Sequence, residues 1–315
     1  MFFYKQAVIA LAAIVSISAH PHFAHPNALS DDVIEELSKK YEKHIQKAET
    51  AVKERLGSSL RGVGESIAAH PFNPLPGADF SPCPYHNAMA SHGFVNRSGR
   101  NIPLFELPVV MKEVIGPDAI FAAFAQLENG PQSVHFDSDG TPLINFTNFW
   151  NRPGIERDAS SMFHDAFFGE ETRREIDEDF LQDLFSRTED EYITPTSLFE
   201  FGADRLGDSL KNNPEVSPPY CLIGEFDFGS LVQTLAGFQH TSVHLLDPNF
   251  EKITKHDYEQ FYRFGKLTDD FLIRHGVVPD FSQQQVEFVN LLVQAAVTAC
   301  PLQPPKSPTA SDEIM

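Results

Sequence analysis

Between residues 30 and 56, apolar side chains recur at steps of three and four: Val33, Leu37, Tyr41, Ile45, Ala48, Val52 and Leu56. That period predicts an amphipathic helix. Ser30 suits the N-cap, and Asp31 and Asp32 suit the positive end of the helix dipole. Lys53 and Arg55 occupy the last turn, and Gly57 can end it. Such a helix either docks a partner or packs on its own domain, and most do only the second. The same spacing predicts helices over 104–111, 118–127, 177–185, 221–238, 255–264 and 283–297. Residues 70–84 carry Pro71, Pro74, Pro76, Pro82 and Pro84 and predict an extended approach to the next element. Strand patterning is sparse, with one short candidate at 133–136. The expected fold is all-α: a single compact helical domain over 66–300, preceded by an extension (20–65) that bears the amphipathic helix.

The two ends read differently. Lys5 precedes an apolar run from Ala7 to Ile17, interrupted only by Ser16, and Ser16, Ser18 and Ala19 offer a small-residue cleavage site. Residues 1–19 therefore predict a secretory signal peptide. The run falls short of the about 20 apolar residues that span a bilayer. Asn96-Arg97-Ser98 and Asn145-Phe146-Thr147 are glycosylation sequons, compatible with a secreted glycoprotein. Cleavage after Ala19 would expose the amine of His20 near His22 and His25, a set that could chelate copper; the simpler reading is a loose chain end. Residues 301–315 are rich in Pro, Ser and charge and predict a disordered tail.

Composition narrows the classes. With 315 residues, 42% hydrophobic and 22% charged, the chain has ordinary globular usage, which excludes wholesale disorder. A net charge of −20 repels phosphate backbones and anionic lipid, so neither nucleic acid nor a membrane is an expected partner. Three cysteines are too few for a disulfide framework, although Cys221 and Cys300 could pair in an oxidising compartment. Phe is abundant, with 28 residues against one Trp and seven Tyr, which suits a core or a dry pocket.

The sharpest local feature is Pro82-Cys83-Pro84-Tyr85-His86-Asn87-Ala88-Met89-Ala90-Ser91-His92-Gly93. Pro is favoured at the first position of a helix, where its missing N–H is not needed, so Pro84 starts a helix and Cys83 caps it. Gly93 can end it. The cap position sees the unpaired N–H groups of the first turn, which stabilise a thiolate over a thiol. One rigidly held, anionic sulfur is what an axial ligand to haem iron requires. The same placement would serve a nucleophilic cysteine.

Pro82-Cys83-Pro84, Asn87-Ala88-Met89-Ala90, His92-Gly93 and Gly99-Arg100-Asn101-Ile102 together resemble the proximal segment of the haem-thiolate peroxidases, the family of chloroperoxidases and unspecific peroxygenases. The resemblance implies a helical domain enclosing haem b, with Cys83 as the axial ligand of the iron. It also implies an acidic loop that holds a cation, usually magnesium, beside a haem propionate. Ile155-Glu156-Arg157-Asp158-Ala159-Ser160, after the turn at Pro153-Gly154, matches that loop. Glu156, the carbonyl of Arg157 and Ser160 would be the ligands, a suitable oxygen set for a hard cation. Arg157 stands where the chloroperoxidase-like branch has His. It can pair with a catalytic glutamate as a permanent cation but cannot shuttle a proton.

The family's acid–base glutamate matches Glu225 in Gly224-Glu225-Phe226, and the 255–263 segment looks like the helix that follows it. Leu222, Phe228 and Gly229 lie one turn from Glu225, and apolar surroundings bring a carboxylate toward the range useful for proton transfer. The residues alone leave Asp227 and Glu215 open for that role. Phe121, Phe124, Phe163, Phe167, Phe168, Phe226 and Phe228 are candidates for an apolar substrate pocket, each with the ordinary alternative of a core side chain. The expected function is a secreted, peroxide-dependent oxidoreductase: Glu225 moves a proton between the oxygens of hydrogen peroxide, and the thiolate favours O–O cleavage. Its substrates would be small, apolar or aromatic organic molecules. The alternatives are a secondary-metabolite oxidase of the same family and a haem-binding protein that has lost turnover.

Overall fold

The computed structural model describes residues 65–115, 134–150, 160, 162–169, 175–193, 195–214, 253–267 and 272–273, with parts of 42–54. The signal-peptide stretch, the histidines at 20, 22 and 25, the tail and the helices expected at 118–127, 221–238 and 283–297 lie outside the described residues. So do Cys221 and Cys300.

The described elements run in chain order. Helical residues within 42–54 form α1. Then come β1 (Glu65–Ser66), α2 (Pro84–Ser91), β2 (Ile102–Pro103), α3 (Glu106–Ile115), β3 (Val134–Phe136) and β4 (Pro142–Ile144). The remainder is α4 (Glu178–Ser186), β5 (Tyr192–Ile193), α5 (Pro195–Asn212), β6 (Ile253–Thr254), α6 (Lys255–Phe264) and β7 (Leu272–Ile273). Among the described residues helices dominate and every strand is two or three residues long. The strand expected at 133–136 is present as β3. It belongs to a three-stranded sheet ordered β2-β4-β3, and two further antiparallel pairs, β1 with β7 and β5 with β6, complete the strand set.

Side-chain caps set the starts of α4 and α6. Asp177 caps α4 by accepting the N–H groups of Asp179 and Phe180 at 2.8 and 3.1 Å. Thr254 pairs in β6 and also caps α6, its hydroxyl accepting from Asp257 N–H at 2.9 Å. Two expectations shift. The helix expected at 104–111 begins and ends later, at Glu106–Ile115. The 18-residue α5 was not expected at all. Ser197, Phe201, Arg205 and Ser209 are buried along it, and Asn213 is buried just past its end.

The core gathers Met89 of α2, Phe94, Ile102, Leu107 of α3, Phe146, Phe149 and Phe261 of α6. Val52 of α1 joins the same cluster, and His44 stacks on Phe105 with ring centroids 6.2 Å apart. The described part of α1 thus touches the core through Val52 and His44. Gly265 follows α6 at φ 61°, and a Cβ there would lie 2.6 Å from Ala88 N. Only glycine lets the end of α6 rest on the backbone of α2. Ser91 adds a hydroxyl bond to the Phe264 carbonyl at 3.1 Å, and Tyr85 meets Phe261 edge-on.

Candidate functional site

Cys83 occupies the N-cap of α2 with extended backbone (φ −86°, ψ 116°), and Pro84 takes the first helical turn. Helix α2 is buried along Tyr85 to Ser91, so the cysteine sits half-buried at the mouth of a helix with no solvent-facing side. The residues around it hold the main chain. Asn87 brackets Ser81 with two bonds: its Oδ1 accepts Ser81 N–H at 2.8 Å and its Nδ2 donates to Ser81 O at 2.9 Å. The Ser81 hydroxyl accepts the N–H of Cys83 at 3.1 Å and meets His86 Nδ1 at 3.0 Å. His86 is fully buried, packed against Phe146 and Phe149 with centroids 5.3 and 4.8 Å away. Burial lowers its pKa from 6.5 to about 3, so the imidazole is neutral.

The other residues of the motif are also structural. His92 donates from Nδ1 to His70 O at 2.6 Å and accepts Leu267 N–H at Nε2 at 3.0 Å, tying three segments together. Gly93 has φ 79°, with Arg97 packed where a side chain would stand. Arg97 in turn donates to the carbonyls of Asn73, at 2.8 Å, and Ser91. Gly99 (φ 68°) rests on the Asp79 carbonyl, and Arg100 donates to Asp79 Oδ1 at 2.8 Å. Asn101 carries a positive φ of 50°, and its N–H is accepted by Asn145 Oδ1 at 2.7 Å. In this segment the thiol is the group with redox or nucleophilic chemistry, and its neighbours hold the loop.

Ser160 is half-buried, and a second polar cluster anchors it. Its hydroxyl accepts Met162 N–H at 3.4 Å, and its carbonyl accepts Arg205 Nε at 3.2 Å. Arg205 is buried over the Phe180 ring, 3.6 Å from the centroid, with Asp208 at 3.2 Å and Asp165 at 3.7 Å. Desolvation lowers the Arg205 pKa, and Asp165, Asp208 and Asp177 oppose that shift. Asp165 also accepts from Ser209 Oγ and, at 3.0 Å, from Asn213 Nδ2. Glu156, Arg157 and Glu225 lie outside the described residues. Among the described residues no group of three or more His, Cys, Asp or Glu could hold a metal ion.

Trp150 links the two segments. Its indole N–H donates to the Phe80 carbonyl at 2.8 Å, three residues before Cys83. Its ring meets Phe163 edge-on at 5.2 Å, three residues after Ser160. Trp150 thus touches both the chain just before the cysteine and the chain just after Ser160. Of the seven Phe proposed for a pocket, Phe163 is a core residue, and Phe167 and Phe168 are exposed at 42% and 47%. The remaining four lie outside the described residues. Ser81, His86, Trp150, Arg205 and Asp165 were not assigned from sequence. Ser81 alone carried a local signal, since a Ser hydroxyl commonly accepts the N–H two residues on.

A family model described as "Peroxidase, family 2" matches residues 70–275. An aromatic peroxygenase from Cyclocybe aegerita is 30% identical over 171 residues, a match covering 47% of this chain and 44% of that protein. The matched stretch thus spans less than half of that relative's length. The family match falls on the same body of chain that β1 and β7 bracket, with Glu65 paired to Ile273.

Proposed function

We propose, because this chain belongs to the haem-thiolate peroxidase family, that it uses hydrogen peroxide to oxidise or oxygenate small organic substrates. The observation that carries this reading is Cys83 at the N-cap of a fully buried helix, its loop fixed by Ser81 and Asn87, inside the family-matched segment. These residues fit a thiolate-ligated haem. The sulfur is half-buried against the core, the helix N-terminus favours its anion, and the loop leaves it little freedom. Haem b bound at Cys83 would supply peroxide activation, with the electron-rich thiolate favouring heterolysis of the O–O bond.

The chain's own residues have the remaining tasks. Cys83 holds the iron and remains anionic. Glu225 receives a proton from the near oxygen of peroxide and returns it to the departing one. Arg157 orients Glu225 by a permanent charge, replacing the histidine of the chloroperoxidase-like branch. Glu156, the Arg157 carbonyl and Ser160 would hold magnesium, and the Arg205 bond to the Ser160 carbonyl supports a fixed placement for that last ligand. The apolar stretch before a small-residue site at 16–19 supports export. Among the described residues no helix is long and apolar enough to cross a membrane.

The absorption spectrum of the protein, as isolated and then reduced under carbon monoxide, tests this reading. A Soret band at the long wavelength typical of thiolate ligation is expected, and Cys83→Ala should remove it. Glu225→Gln should keep the band and lose peroxide consumption. No Soret band after adding haem would sink the reading. Haem bound by the wild type with no peroxide consumed would favour a binding protein that has lost turnover, the outcome that the Arg157 substitution keeps open.

A further inference from the structure

The Ser81 hydroxyl has one proton and two neighbours. Its oxygen accepts the N–H of Cys83 at 3.1 Å, and its other partner is His86 Nδ1 at 3.0 Å. Giving the proton to Nδ1 satisfies the hydroxyl and the imidazole nitrogen together and fixes His86 as its Nε2–H tautomer. The rotor is then set: the proton points at the imidazole and a lone pair points at Cys83. Both side chains are buried, and Asn87 pins the Ser81 main chain from either side.

We infer that Ser81 and His86 form a clamp that positions Cys83, with the imidazole acting through the serine hydroxyl on the main chain of the cysteine. His86 is therefore a positioning residue, one helical turn beyond the cap it controls. The inference rests on the proposed function only for what the thiol does, not for the clamp itself.

Alkylation of the cysteine in the full-length, haem-free protein tests the clamp. The rate at a fixed pH is read on the Cys83 peptide by mass spectrometry with iodoacetamide as the probe. In Ser81→Ala and His86→Leu the rate should rise about fivefold, the factor matching loss of a hydrogen bond of ordinary strength. His86→Asn should return it toward the wild-type rate, because the amide oxygen can accept where Nδ1 did. Loaded with haem, Ser81→Ala and His86→Leu should show a weakened long-wavelength carbon monoxide band, and His86→Asn should restore it. Equal alkylation rates in all four proteins would overturn the clamp, as would His86→Asn behaving like His86→Leu. Should His86→Leu not fold, Ser81→Ala carries the test, since it deletes only the hydroxyl. A wild type that takes up no haem yet shows the alkylation pattern supports the clamp while refuting the haem assignment.

Discussion

Two polar knots, one at Cys83 and one at Ser160, are built from opposite materials. The one at Cys83 is neutral: a hydroxyl, an amide and an imidazole that burial keeps uncharged. The one at Ser160 is ionic: Arg205 on Asp165 and Asp208, with Ser209 and Asn213 completing the carboxylate. A neutral knot can lie beside a thiol without biasing its charge, and each of its members costs only an amide or hydroxyl desolvation. An ionic knot anchors a carbonyl firmly but depends on every partner, because a buried charge that loses its counter-ion is strongly unfavourable.

Removing one carboxylate should therefore expose the contrast most strongly. Asp165→Ala leaves buried Arg205 with the exposed Asp208 as its nearest carboxylate, removes the acceptor of Ser209 Oγ and Asn213 Nδ2, and should cost about 3 kcal/mol in a urea titration. A loss near that of a single neutral hydrogen bond would mean that the ionic knot is no more demanding than the neutral one. Gly265→Ala comes next. It places a Cβ against the Asn87–Ala88 backbone at a left-handed φ, and about 2–4 kcal/mol should be lost in thermal or urea unfolding.

Acid should separate the knots by a third route. His86 is held near a pKa of about 3 when folded, against 6.5 unfolded, so between these values the unfolded chain takes up a proton that the folded chain refuses. The stability that His86 contributes is intact above about pH 6.5 and falls as the pH is lowered toward 3, by about 1.4 kcal/mol per pH unit. The comparison is the wild type against His86→Leu, whose stability should decline less steeply over that window. Parallel profiles would mean that His86 finds water when protonated. The smallest effect is expected outside both knots. Lys47 and Asp139 pair at 3.3 Å on the surface, and Lys47→Ala should leave the unfolding midpoint where it is.

What the sequence makes legible follows from these materials. Helix α2 is bounded by Pro84 and Gly93, and α6 matches its expected span because Thr254 and Gly265 punctuate it. Cys83 could be singled out because the prolines beside it act locally. Helix α5 was hidden by Gly202 and Gly207, each of which costs about 1 kcal/mol in a helix. His86 reads as any helical histidine until Phe146 and Phe149, some sixty residues on, close over it. Arg205 and Asp165 meet only because α5 lies against the chain that follows the acidic loop. Phe167 and Phe168 are exposed, and nothing in the sequence says which way an aromatic pair faces.

The antiparallel clasp of Glu65–Ser66 with Leu272–Ile273 has a consequence in time as well as in space. A chain made from its N-terminus releases β1 long before β7 exists. At roughly 5–20 residues per second, the first strand waits on the order of ten to forty seconds for its partner. Through that interval its edge is open to any other strand in the crowded space where the chain matures. A pairing of only two residues offers a wrong partner little to grip, so a short clasp delays closure without becoming a site of misassembly.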